Sequence, residues 1–240
     1  MSRKGAQALA EILPLPETQP TEGWTRCAVC GEEWRLGPED SLCPPCAAQA
    51  RERQAWSAHR HWCRTHRGQV LERGQVPTGL RAAVVIETWP RDPRSPGVPL
   101  AEWRGEPWSV TLLGGPGVGK STLAAELAYR WACDNPRGDL LWRRGTVLLR
   151  EILQGDPLAQ RARQCGLLVL DDLGNGLSHR TAWAMLGEVL AERHEWRRAT
   201  VVTTNLKHPA LEAAHSATAD RLVEGLLCHL GGRSRRGGHR

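Results

Sequence analysis

Over the second half of the chain, short apolar runs alternate with stretches of helical period. Trp108-Ser109-Val110-Thr111-Leu112-Leu113 reads as a buried strand. A glycine-rich turn follows, and then Leu123, Leu127 and Trp131 fall on one face of a helix that Asp134-Asn135-Pro136 ends. Residues 145–149 predict a second strand, with a helical stretch behind it as far as Arg163. Leu167-Leu168-Val169-Leu170 is a third apolar run, and it ends in Asp171-Asp172-Leu173-Gly174. Ser178 is placed to cap a helix on which Trp183, Leu186, Leu190 and His194 share a face, and these read as core. Ala199-Thr200-Val201-Val202-Thr203-Thr204 predicts a further strand with Asn205 at its tip, and Ala219-Asp220-Arg221-Leu222-Val223 a helix. The expectation is an α/β domain around a central parallel sheet.

The first half has a different texture. Residues 1–22, with Pro14, Pro16 and Pro20, predict an extended, disordered arm. Residues 23–50 carry Cys27-Ala28-Val29-Cys30 and, after twelve intervening residues, Cys43-Pro44-Pro45-Cys46. Each Cys-x-x-Cys turn presents two thiolates to one point, so Cys27, Cys30, Cys43 and Cys46 suit tetrahedral zinc in a small zinc-ribbon-like module. A segment this short buries too little surface to fold alone, and metal binding would supply the folding energy. Residues 51–105 predict a basic helix and then a linker broken by Pro90, Pro93, Pro96 and Pro99, with regular structure only at 80–87. Arg51, Arg53, Arg60, Arg64, Arg67 and Arg73 interleave there with Trp56 and Trp62. That mix grips single-stranded nucleic acid, and it equally describes a solvated helical connector. His59, His61, Cys63 and His66 form a second set of metal-type side chains on the same stretch. Residues 106–236 hold the α/β domain, and 237–240 a basic tail.

Composition changes this picture little. The 240 residues carry a net charge of +6, but Lys4, Lys120 and Lys207 are the only lysines, and Phe is absent. A GC-rich coding sequence explains the arginine excess without an acidic partner. No run of about 18 apolar residues occurs, and the N-terminus lacks a secretory leader, so a soluble, cytoplasmic protein without a membrane partner is expected. In a reducing compartment the eight cysteines are metal ligands or buried thiols before they are disulfides.

The candidate chemistry lies at the strand ends. Gly114-Gly115-Pro116-Gly117-Val118-Gly119-Lys120-Ser121-Thr122 matches the phosphate-binding pattern G-x-x-x-x-G-K-[ST] between a strand and a helix. Its glycines let the backbone wrap an anion, and the helix start points N–H groups at it. Lys120 would reach the β- and γ-phosphates of ATP, and the Ser121 hydroxyl would bind Mg2+. Asp171 would hold that magnesium through water, Asp172 would orient or activate the attacking water, and Asn205 would hydrogen-bond the γ-phosphate or that water.

In this order GGPGVGKST, LLVLDDLG, ATVVTTNL and ADRL resemble the AAA+ ATPases of the DnaC/IstB type, a family of replicative-helicase loaders and transposase helpers. The resemblance covers about residues 106–236 and implies a three-layer P-loop AAA+ fold. It matches Gly119, Lys120 and Ser121 to the Walker A motif, Asp171 and Asp172 to Walker B, and Asn205 to the first sensor. Arg221 resembles the arginine finger that reaches a neighbouring subunit's nucleotide, which implies self-association on ATP binding. Arg236, in a short glycine-rich segment, is the candidate for the second sensor. Asp172 stands where most AAA+ enzymes have Glu, a shorter arm that implies slow hydrolysis. The cysteine module is similar to one that some loaders use to dock on the replicative DNA helicase, and the expectation is such a loader, holding single-stranded DNA. A transposase helper and a nucleotide-gated, zinc-bearing adaptor with little turnover are the alternatives.

Overall fold

The computed structural model describes residues 24–36, 40–83, 86, 89–90, 100–175 and 180–232. The expected arm at 1–22, the Ser178 cap and Arg236 lie outside them, as does part of 80–87. The chain divides into two compact units, residues 1–55 and 56–240.

In the first unit, strands β1 (Trp24–Arg26) and β2 (Glu33–Arg35) pair antiparallel, with Thr25 opposite Trp34. The turn between them carries Cys27 and Cys30 and closes through Gly31, whose N–H donates to Cys27 O at 3.0 Å with φ at +74°. Cys43 and Cys46 flank the start of helix α1 (Pro44–Thr65). Cys27, Cys43 and Cys46 are buried, and Trp34 and Leu42 pack on them. The described core of this unit is therefore its own cysteines.

The second unit takes in the rest of α1, helix α2 (Arg67–Arg73) and a short 3-10 turn at Thr78–Leu80. Next come strand β3 (Ser109–Leu113), helix α3 (Lys120–Asp134), strand β4 (Leu140–Arg144), and helices α4 (Gly145–Gln154) and α5 (Pro157–Gln164). Strand β5 (Leu167–Leu173), helix α6 (Arg180–Glu195), strand β6 (Ala199–Thr204), helices α7 (His208–Ala214) and α8 (Ser216–Val223), and strand β7 (Leu226–His229) complete it. The five strands are all parallel, in the order β4-β5-β6-β3-β7.

Strand periodicity makes the sheet two-faced. Leu167, Val169, Val201, Val110 and Leu112 join Leu123, Leu127 and Trp131 of α3, with Leu71 of α2, in one core. Leu168, Leu170 and Val202 join Leu148 of α4, Trp183, Leu186 and Leu190 of α6, and Leu222 of α8 in the other. Helices thus cover both faces in three layers, as parallel strands require.

On the first face α1 and α2 clasp the helix behind the phosphate loop. Arg67 Nη2 donates to Glu126 Oε2 at 2.8 Å, Tyr129 Oη donates to Cys63 O at 3.2 Å, and His59 Nε2 lies 2.9 Å from Ala132 O.

One element departs from the sequence reading. Residues 145–149 are helical, and the second strand is Leu140–Arg144 just before them. Leu148, Leu149 and Ile152 pack on one core, which is a helical spacing that the short run of β-branched and leucine residues disguises. Strand β7 has no counterpart in the sequence pattern: its four residues are too short to stand out as a run.

Candidate functional site

Strand order decides which loop ends meet. Strand β6 lies between β3 and β5, so the C-terminal ends of the three open side by side on one edge of the sheet, where α/β proteins bind ligands. A cavity of about 660 Å³ lies there, lined by Pro116, Gly117 and Gly119 of the loop after β3 and by Lys120, Ser121 and Thr122 at the start of α3. Asp171 and Asp172 of β5 and Asn175 just beyond it line the cavity, as do Thr203 of β6 and Asn205 just past its end.

The loop leaves β3 at Gly114. A Cβ there would lie 2.4 Å from the Leu230 carbonyl oxygen, so only glycine fits. Gly117 and Gly119 turn through φ of +78° and +99°, and Gly119 caps the start of α3. Gly114, Gly115 and Val118 belong to the same loop but do not line the cavity. Lys120, largely buried, donates to Gly114 O at 2.7 Å, Gly115 O at 2.8 Å and Asn205 Oδ1 at 2.7 Å.

The acids are held as firmly. Asp171 Oδ1 accepts from Ser121 Oγ at 2.8 Å and from Thr203 Oγ1 at 2.7 Å. Asp172 accepts from Asn205 Nδ2 at 3.1 Å and from Asn175 Nδ2 at 2.9 Å, one amide on each oxygen. A serine hydroxyl beside a carboxylate is the hard, oxygen-only donor set that suits magnesium. Lys120, Ser121, Asp171, Asp172 and Asn205 are therefore gathered at one place. Arg221 is not: it lies on α8 and donates to Ala217 O of its own helix at 2.9 Å.

Several lining residues carried no flag in the sequence. Thr203 shares a strand face with Asn205 two positions on, and Asn175 lies one turn beyond Asp172; period and proximity could have found both. Arg144, at the end of β4, and Pro77, Gly79 and Leu80 reach the cavity only through the tertiary fold.

In the first unit the sulfurs of Cys27, Cys30, Cys43 and Cys46 all lie within 4.8 Å of one another. The cluster fits a closed tetrahedral zinc site. Backbone N–H groups of Cys30, Cys43 and Val29 point at Cys27 and pull its thiol down to about 6. The Cys43 thiol, aided by burial, pushes Cys46 up to about 12. Among the described residues no other group of three or more such side chains converges. His59 instead contacts Cys63 Sγ at 3.4 Å, and His66 stacks on Trp62 with Nδ1 3.0 Å from Trp62 O.

A parallel sheet with a phosphate loop after its β3 strand, paired acids ending β5 and a polar tip on β6 defines the second unit as a P-loop AAA+ ATP-binding domain. A sequence profile of IstB-like ATP binding proteins matches residues 101–230, more than half of the chain, and the chain belongs to that family. No curated protein matches it by sequence. Among solved structures, domain III of the Thermotoga maritima replication initiation protein DnaA is similar at a TM-score of 0.49 and 16% identity, over 55% of this chain and 58% of that one. The DnaC helicase loader is similar at 0.47 and 20%, over 55% and 84%. DnaI is similar at 0.46 and 24%, over 55% and 79%. Among the described residues no helix is long and apolar enough to cross a membrane.

Proposed function

We propose that the chain is a magnesium-dependent ATPase that loads a replicative DNA helicase. The observation that carries the ATPase reading is the convergence of Lys120, Ser121, Asp171, Asp172 and Asn205 on one cavity in an IstB-like chain. Lys120 exchanges the Gly114 and Gly115 carbonyls for the β- and γ-phosphate oxygens, and the loop N–H groups cradle the rest. Ser121, and Asp171 through water, would hold Mg2+, which when bound would neutralise charge on the phosphate oxygens. Asp172 orients the attacking water, and Asn205 turns from Lys120 to the γ-phosphate. Arg221, which does not line its own cavity, serves a neighbouring subunit's.

The cysteine cluster supports the loader reading. It would take a structural zinc ion, and residues 1–75, which include it, are the segment assigned to the helicase; single-stranded DNA is the second partner. The test is capture of the host's replicative helicase by the full chain, with and without ATP, beside a Cys43→Ser chain. Capture that Cys43→Ser abolishes is expected; no capture under either condition contradicts the reading.

The family match itself favours a second reading, an ATPase helper of a transposase. Salt-sensitive binding to duplex DNA, without affinity for the helicase, would single it out. Tight ATP binding without measurable turnover would instead point to a nucleotide-gated adaptor, as the short arm of Asp172 allows.

A further inference from the structure

Successive residues of a strand point to opposite faces, so a strand that ends in two acids ordinarily offers a ligand only one of them. Here Asp171 and Asp172 both line the nucleotide cavity. The reason is a slip in register: Leu170 lies opposite Val202 and Leu173 opposite Thr204, leaving Asp171 and Asp172 together against Thr203. This two-against-one bulge turns Asp172 to a φ of +59°, a left-handed backbone that aspartate tolerates better than most residues.

We propose that Thr203 is the positioning residue that aims both acids at the nucleotide. Its hydroxyl donates to Asp171 Oδ1 at 2.7 Å and accepts from the Asp172 N–H at 2.9 Å. One proton and one lone pair are thereby spent on the two members of the bulge, and the rotor is fixed. Thr203 is 1% exposed, so water does not readily replace it. Ser121 shares Asp171 Oδ1, but a Ser121 hydroxyl engaged with Mg2+ would no longer hold it, which would leave Thr203 to set the carboxylate plane. The inference rests on the Mg2+–ATP reading of the site.

The test uses the full chain with Thr203→Val and Thr203→Ser, reading affinity for a non-hydrolysable ATP analogue with and without Mg2+, and kcat and KM for ATP. Thr203→Val is expected to keep its magnesium-free affinity but to lose the gain that Mg2+ confers. Its kcat is expected to fall on the order of 10–100-fold, the usual cost of losing a residue that orients a metal ligand. Thr203→Ser, which keeps the hydroxyl, should restore both. If Thr203→Val does not fold, Thr203→Cys, with a far weaker hydrogen-bonding group, takes its place. An unchanged Mg2+ effect and kcat in the hydroxyl-free variant overturns the inference, as does a serine variant equally impaired. A wild-type chain that binds no nucleotide overturns the ATPase reading itself.

Discussion

Lys120 donates its ammonium to Asn205 Oδ1 at 2.7 Å, tying the phosphate loop after β3 to the tip of the neighbouring β6. Asn205 passes the connection on, its Nδ2 reaching Asp172 Oδ1 at 3.1 Å. One amide thus stands between the cation assigned to the phosphates and the acid assigned to the water.

Asn205→Ala should therefore leave ATP affinity within a few-fold of wild type and lower kcat. Loss of one preorganised donor to the reacting phosphate costs on the order of 10²–10³ in rate. Single-turnover hydrolysis beside equilibrium binding separates the two effects. Weaker binding with an unchanged single-turnover rate would make Asn205 a uniform binding contact only.

Arg221 makes no contact with its own cavity and ends on a hydrogen bond to Ala217 O. If it serves the next subunit, Arg221→Ala binds ATP normally and loses on the order of 10³–10⁵ of turnover, the range of arginine fingers. Wild-type specific activity should also rise with protein concentration. Unchanged turnover in the variant would remove Arg221 from the site.

The cysteine cluster should bind one Zn2+, or one Co2+ with tetrahedral absorption bands, and Cys43→Ser should lose both. Three of the four sulfurs are buried, and Cys46 is pushed up to about 12, so the free cluster carries protons that the metal must displace. Binding thus releases protons, and affinity must weaken as pH falls. Titration of the metal at several pH values checks this, and a pH-independent affinity would contradict thiolate ligation. Trp34, packed on the cysteines, is the natural fluorescent reporter.

Much of this arrangement was legible in the sequence, because buried parallel strands leave continuous apolar runs and glycine loops leave fixed spacings. Strands β3, β5 and β6, the loop from Gly114 to Thr122, the two acids and Asn205 all carry such patterns. What escaped depends on tertiary context. Residues 145–149 form a helix because Leu148, Leu149 and Ile152 find a core at helical spacing. No pattern within β5 announces that its register slips against β6, yet that slip lets Asp171 and Asp172 face one cavity. The clasp of α1 and α2 on α3, through Arg67 and Glu126, is likewise a long-range pairing that local patterns do not encode.

The central claim is that Lys120 and its loop bind the phosphates of ATP. Isothermal titration of the full chain with Mg2+ and a non-hydrolysable ATP analogue, beside Lys120→Ala, tests it most directly. Wild type should bind one nucleotide per chain. The variant should bind about ten- to a hundredfold more weakly, as loss of a hydrogen bond from a charged donor implies. Equal affinity in the two proteins would contradict the account.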